Sequence, residues 1–142
     1  MQVMALMVMW AAVSLLPAPV EAAVTATCGA DAFEPNDARA RAKSTRGKRA
    51  EARVCRGDVD WYYVKAEAGQ TIEVVVEHDA AHPVEVGLFP PRARAAAGET
   101  ETRGGRTTVR YVADKAAKHR VRVASGDGST TPYAVEISAK AR

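Results

Sequence analysis

The sequence lacks the short motifs that mark many catalytic sites. It contains no G-x-S-x-G segment, which would position a nucleophilic serine, and no glycine-rich phosphate loop. Cysteine is also scarce, with two residues in 142, and a catalytic cysteine/histidine pair is not expected because both cysteines are expected to be bonded. We therefore expect a protein that is not an enzyme.

The sequence also lacks an apolar run long enough to cross a membrane. The longest, from Val3 to Leu16, is interrupted only by Ser14 and is shorter than the roughly 20 residues that a spanning helix needs. It is followed by Val20-Glu21-Ala22, which places small side chains where a signal peptidase reads them. We interpret residues 1–22 as a signal peptide, cleaved after Ala22 or Ala23, and expect a secreted or periplasmic protein. No Lys or Arg precedes the run, and an uncleaved membrane anchor is the alternative.

Export determines the chemistry expected of the two cysteines, Cys28 and Cys55. In an oxidising compartment an even cysteine count favours a disulfide, and these two residues offer one intrachain pairing. Closing a loop of that length would stabilise the fold by roughly 3 to 4 kcal/mol in the chain-entropy model. Two free thiols or an intermolecular bond are the alternatives.

The hydrophobic pattern from Arg53 onward has a period of two residues, which is typical of β-strands with one buried face. Turn residues such as Gly and Pro separate the strand segments, so the pattern predicts two antiparallel sheets packed face to face. The predicted inward residues are Ile72, Val74, Val76, Val84, Val86, Leu88, Val109, Tyr111, Val121, Val123, Tyr133, Val135 and Ile137. We expect an N-terminal arm over residues 23–52, with a short helix in "EPNDARARA", and a β-sandwich over residues 53–142.

Two clusters of acidic and amide side chains lie about twenty residues apart, in "EPND" and in "DVD". Calcium takes six to eight oxygen ligands, and the oxygen donors available are Glu34, Asn36, Asp37, Asp58 and Asp60. A general acid/base pair is disfavoured because Asp58 and Asp60 enter a strand just after Gly57, where we expect solvent to keep both ionised. The alternative to a metal site is that the first cluster caps a helix and the second caps a turn.

Histidine and basic residues have plainer interpretations. His78 and His82 are spaced for one face of a helix, but strand and turn patterns surround them, so we expect polar residues at a hairpin and no zinc site.

The stretch from Arg39 to Arg56 contains eight Lys or Arg residues, which suits either an anionic partner or a solvated face. No aromatic residue lies among these charges, which favours the solvated face.

Several segments together resemble the bacterial pre-peptidase C-terminal domain, including its cysteine-bearing versions in secreted proteins. They are "FEPNDARARA", "CRGDVDWYYVKAEAGQTIEVVVE", "HRVRV" and "YAVEI", and the resemblance covers residues 28–138. It implies a single jelly-roll-like β-sandwich without catalytic residues of its own. Clostridial collagen-binding domains are similar, and their calcium lies between the arm and the aspartates before the Trp-Tyr pair.

Carried over to this chain, that resemblance implies a calcium site, with calcium as the candidate cofactor. The implied ligands are Glu34, Asn36, Asp37, Asp58 and Asp60. The sequence departs from the pattern at Ala32, where an acidic residue is usual, and we expect the adjacent Asp31 to point elsewhere. It departs again at His119, where a tyrosine is more common.

The sequence thus predicts a secreted, non-enzymatic β-sandwich binding or accessory module. Trp61 and Tyr63 alternate away from the inward residues of their strand and are a candidate partner contact, unless they only pack across strands. An extracellular protein or polysaccharide is the expected partner, with no specific nucleic acid and no membrane span after signal cleavage. The alternative function is a folding assistant or inhibitor of a separate exported protease.

Overall fold

The computed structural model describes residues 28–29 and 31–142, so the predicted signal peptide and its cleavage site lie outside the described residues. Within the described part, no helix is long and apolar enough to cross a membrane. The predicted all-β class is confirmed, because two antiparallel sheets account for the regular structure apart from one short 3-10 turn.

Eight strands form the two sheets. They are β1 (Ala50–Val54), β2 (Val59–Ala66), β3 (Thr71–His78), β4 (Val84–Phe89), β5 (Glu99–Arg103), β6 (Arg106–Val112), β7 (Ala117–Ser125) and β8 (Thr131–Lys140). The larger sheet has the order β1-β8-β3-β6-β5, and the smaller sheet has the order β2-β7-β4. All neighbouring strands within each sheet are antiparallel. Most strands that are consecutive in the chain lie in different sheets.

The core lies between the two sheets and is built by the predicted inward residues. Val74 and Val76 of β3, Val121 and Val123 of β7, and Val135 of β8 are completely buried. Val86 and Tyr111 are partly buried and pack against the edge of this core. Because burying one such side chain stabilises a fold by roughly 1.5 to 3 kcal/mol, the alternating pattern fixes which face of each strand points inward.

Two strands differ from the sequence expectation. β1 begins at Ala50, three residues before the predicted start, because the small side chains of Ala50 and Ala52 fill the inner face beside Val54. β5 was not predicted, and every residue in it is exposed. It is held by backbone pairing with β6, and a strand of this kind leaves no hydrophobic period in the sequence.

The N-terminal arm follows the free edge of β2. Trp61 N–H donates to the Asn36 carbonyl at 2.8 Å, and Tyr63 N–H donates to the Lys43 carbonyl at 2.9 Å. The predicted helix over "EPNDARARA" is wrong, since the only helical turn there is a 3-10 turn at Arg39–Arg41. The arm needs its backbone groups for β2, and those bonds replace the ones that a longer helix would have made.

The predicted disulfide between Cys28 and Cys55 is confirmed, with a Cα–Cα distance of 5.7 Å. It joins the start of the described arm to the turn between β1 and β2. Cys55 follows the last residue of β1, so the bridge lies at the end of that strand. The arm is therefore attached at two places, by this bond and by its pairing with β2.

Candidate metal centre

Asp60 lies inside the sandwich and not at a solvated strand entry. The alternation of β2 places Asp60 on the same inner face as Tyr62, and both side chains are completely buried. The expectation that solvent keeps Asp58 and Asp60 ionised is therefore wrong, since Asp58 is also only 7% exposed. Burial raises the pKa of Asp60 to about 7, and the negative charges of Asp58, Asp31 and Glu34 contribute to this rise.

Asp60 begins a chain of buried hydrogen bonds that includes two tyrosine hydroxyls. The Tyr133 hydroxyl donates to Asp60 Oδ2, and the Tyr62 and Tyr133 hydroxyl oxygens are 2.6 Å apart. Burial is the main reason that the pKa of each tyrosine is raised, so both hydroxyls stay protonated at physiological pH. This chain of hydrogen bonds links β2 to β8 across the two sheets and satisfies one oxygen of Asp60.

Three carboxylates converge at the inner end of the arm. Asp31, Glu34 and Asp60 each place an oxygen within 4.8 Å of the other two. Asp31 was expected to point elsewhere, and the structure corrects this. Its Oδ1 accepts from Phe33 N–H at 2.9 Å and its Oδ2 accepts from Arg53 N–H at 3.3 Å, which turns the carboxylate back toward the sandwich.

Two buried side chains on the same segments, Asn36 and Asp60, have a polar atom without a partner in the part of the chain that the structure describes. Asn36 is completely buried, and its side-chain oxygen Oδ1 has no hydrogen-bond partner among the described residues. Asp60 Oδ1 is buried and unpartnered in the same sense. Each buried polar atom left without a partner costs about 1 to 3 kcal/mol. Asp60 belongs to the group of three carboxylates, and Asn36 N–H donates to Glu34 Oε2 of that group at 3.2 Å. Carboxylate and amide oxygens are the ligands of a hard cation, so the residues present fit calcium.

Two of the predicted ligands stand apart from the three carboxylates. Asp37 Oδ1 lies 3.4 Å from Arg41 Nη1 on the arm's exposed side. Asp58 Oδ2 lies 3.2 Å from Cys28 Sγ, next to the disulfide. A disulfide sulfur has no proton to donate and is not a thiolate, so Asp58 and the two cysteines do not make a second metal site.

The histidines do not contribute to the clusters found in the described chain. His78 and His82 lie at the connection of β3 to β4, as predicted, but this connection passes between sheets and is not a hairpin. His82 Nδ1 lies 3.2 Å from Asp127 Oδ2, and His78 Nε2 lies 3.2 Å from Thr107 Oγ1. The groups of potential metal ligands in residues 28–29 and 31–142 include no histidine.

Trp61 and Tyr63 lie on the outer face of the three-stranded sheet, and both are half-buried. The Trp61 ring packs against Phe89 of β4 with ring centroids 5.4 Å apart, across the intervening strand β7. The ammonium of Lys118 lies 4.5 Å from the centre of the Tyr63 ring. Both rings therefore take part in cross-strand packing, which was the alternative to a partner contact.

These observations define a class of protein by its fold, a small two-sheet β-sandwich with a tethered arm. No protein-family model and no curated protein matches the sequence. Solved structures do match. One is the pre-peptidase C-terminal domain of a collagenase from Bacillus anthracis, with 16% identity, a TM-score of 0.56, and coverage of 65% of this chain and 89% of that one.

A second similar structure is PliG from Aeromonas hydrophila, a periplasmic lysozyme inhibitor of g-type lysozyme. It has 18% identity and a TM-score of 0.56, and the match covers 66% of this chain and 85% of PliG. The resemblance to the pre-peptidase C-terminal domain is confirmed at the level of fold. The same fold thus serves as a domain of a collagenase and as a periplasmic inhibitor.

Proposed function

We propose that this chain is a secreted, non-enzymatic β-sandwich binding module whose N-terminal arm is fastened to the sandwich by calcium. The observation that carries the proposal is the convergence of the Asp31, Glu34 and Asp60 carboxylates, where Asp60 is completely buried and its Oδ1 is unpartnered in the described structure. These converging carboxylates destabilise the folded state when no cation is bound, because their negative charges repel each other and their buried oxygens lose water without compensation.

The proposed ligands are Asp31, Glu34, Asn36 and Asp60, which differ in part from the set implied by the sequence. Asp31 supplies the acidic group that is missing at Ala32. Asp58 lies close enough to strengthen the negative potential, while Asp37 is engaged with Arg41. When bound, calcium would supply positive charge and oxygen coordination. The residues themselves hold the arm to β1, through Arg53 N–H and Asp31, and to β2, through Trp61 N–H and the Asn36 carbonyl.

The disulfide between Cys28 and Cys55 supports an oxidising compartment, and the similar fold of a periplasmic inhibitor agrees with export. Calcium sites of extracellular modules bind with dissociation constants of roughly 0.1 to 1 mM, which suits a structural role where calcium is abundant. A ligand that binds only the folded state adds about 2.7 kcal/mol at a hundred times its dissociation constant.

Thermal melting with and without a chelator tests the proposed ligand set. Calcium should raise the melting temperature of the wild-type protein, and Asp31→Asn should abolish that shift. Asp37→Asn is the matched control, since it removes a carboxylate of the same arm that faces Arg41, and it should keep the shift. Loss of the shift in Asp37→Asn but not in Asp31→Asn would contradict the proposed site.

A second candidate function is inhibition of a separate exported enzyme, and the similarity to PliG favours it. It is tested by adding the purified protein to g-type lysozyme acting on cell-wall substrate and to exported proteases acting on casein. Saturable inhibition at nanomolar to micromolar concentration supports an inhibitor. Unchanged rates at tens of micromolar protein would reject it for those enzymes.

A further inference from the structure

The outer face of the three-stranded sheet concentrates positive charge. Alternation and register place the side chains of Lys118, Arg120 and Arg122 along β7 on this face, with Lys65 of β2 directly opposite Lys118. Two lysines in directly opposed positions repel each other and destabilise a sheet. Glu85, whose Oε2 lies 3.9 Å from Arg122 Nη1, is the acidic partner there. We call Lys65, Lys118, Arg120 and Arg122 the cationic strip.

The outer face of the five-stranded sheet is different, because its charges neutralise each other. Arg110 pairs with Glu73 at 2.8 Å, and Glu77 pairs with both Arg49 and Arg106. In contrast, Lys65 and Lys118 form no salt bridge within the described chain. The two outer faces therefore differ in how closely acidic side chains accompany the basic ones.

Aromatic rings on the same face make cation–π contacts with the basic side chains. Lys118 lies over Tyr63, and the Arg39 guanidinium lies 5.9 Å from the Trp61 ring centre and 5.5 Å from that of Phe89. Arg39 also donates to the carbonyls of Ala93 and Pro90, which fixes it at the border of the strip. The basic side chains therefore lie over the ring faces, so the rings do not present free faces for stacking.

The basic stretch in the sequence contributes only in part to this surface, since Arg46 lines the same pocket as Lys65. Arg49 pairs with Glu77 on the other sheet, and Arg41 lies beside Asp37, so these two residues of the stretch lie elsewhere. Of Arg39, Arg41 and Arg49, Arg39 alone joins the border of the cationic strip. The strip instead arises from alternate residues of β7 and β2, which are far apart in the sequence.

We propose that the cationic strip binds an acidic polysaccharide that carries carboxylate or sulfate groups. The proposal deepens the proposed function and rests on it, since it names the partner class of the binding module. From Lys118 to Arg122 the strip is roughly 13 Å long, and three strands are roughly 10 Å wide. The area that these two dimensions enclose is a small part of the roughly 800 Å² that each partner buries in a standard protein interface. An extended polymer fits such a surface, and acidic groups complement its charge.

A nucleic acid is the competing polyanion. Proteins that hold single strands combine a basic groove with aromatic faces on which bases stack. Here Tyr63 is covered by Lys118, and Trp61 is packed against Phe89 and Arg39. A base would have to displace these contacts, whereas a carboxylate or sulfate meets the cations as they stand. The geometry thus favours the polysaccharide.

Fluorescence anisotropy with labelled chondroitin sulfate oligosaccharides tests the proposal, with dextran and oligothymidine as the other probes. The wild-type protein should bind chondroitin sulfate in low salt and release it in high salt, and it should not bind dextran. Lys65→Gln combined with Lys118→Gln should weaken binding by roughly 2- to 30-fold, if each lysine contributes as an exposed ion pair does. Arg103→Gln with Lys140→Gln removes the same charge from the five-stranded sheet and should leave the affinity unchanged.

The outcomes separate this inference from the calcium proposal. Equal weakening by both double variants would show that only net charge matters and would overturn a site on the strip. Oligothymidine binding as tight as that of chondroitin sulfate would overturn the choice of polymer. If calcium raises the melting temperature of the same preparation but no chondroitin sulfate binds, the partner assignment fails and the proposed module stands.

Discussion

Replacing Asp60 by asparagine should have opposite effects with and without calcium. The asparagine side chain would keep an oxygen that accepts from the Tyr133 hydroxyl, but it would remove the buried negative charge. The folded-state pKa of Asp60 is about 7, compared with 3.8 for an ordinary aspartate, so ionised Asp60 destabilises the calcium-free fold by up to roughly 4 kcal/mol. Asp60→Asn should therefore stabilise the calcium-free protein at pH 8 and remove the stabilisation by calcium.

The dependence on pH follows from the same shift. Because the pKa of Asp60 is raised on folding, its contribution to stability is fully present below about pH 4 and is lost as the pH rises through about 7. The difference in unfolding free energy between Asp60→Asn and wild type in chelator should thus be small at pH 4 and large at pH 8. Calcium should reverse the order at pH 8, since the cation binds the ionised carboxylate.

Urea unfolding followed by tryptophan fluorescence measures these free energies. The assay needs wild type and Asp60→Asn, each in chelator and in 5 mM calcium at both pH values. Asp114→Asn is a suitable control, because it changes an exposed aspartate at the β6–β7 turn. If Asp60→Asn destabilises the calcium-free protein at pH 8, the buried charge of Asp60 does not lower the unfolding free energy, and the reasoning is refuted.

Three further predictions concern export, the disulfide and the tyrosine pair. Mass spectrometry of the exported protein should find a chain that starts near Ala23 or Val24, and a full-length chain retained in membranes would contradict the signal-peptide interpretation. Replacing Cys28 and Cys55 by serine should lower the unfolding free energy by roughly 3 to 4 kcal/mol and weaken calcium binding; unchanged urea midpoints would count against it. Tyr133→Phe should cost about 1 to 3 kcal/mol by leaving Asp60 without its donor, and a neutral effect in chelator would show that the hydrogen bond is dispensable.

The strands with a buried face could be predicted from the sequence, and β5 could not. In β3 and β8, valine and isoleucine alternate with polar residues, so periodicity identifies the strand and its inner face together. β5 buries none of its side chains and is a strand because β6 offers backbone partners. Non-local pairing of this kind leaves no local signal in composition or period.

The two segments that meet at the candidate site could be recognised in the sequence, but not all of the residues that converge there. The pattern proposed Glu34 and Asn36, which lie between the two cysteines, and Asp60, which follows the second cysteine. It missed Asp31, whose direction depends on hydrogen bonds to Phe33 and Arg53, the second of which is distant in sequence. The inward position of Asp60 could have been found, since it shares the alternation of the core residue Tyr62.

Calorimetric titration of the chelator-treated protein with calcium at pH 8 tests the central claim most directly. We predict one site per chain with a dissociation constant of roughly 0.1 to 1 mM, as for other extracellular modules. Asp31→Asn should remove the binding heat, and Asp37→Asn should preserve it. No binding heat up to 10 mM calcium, together with identical melting curves in calcium and in chelator, would contradict a calcium-fastened arm.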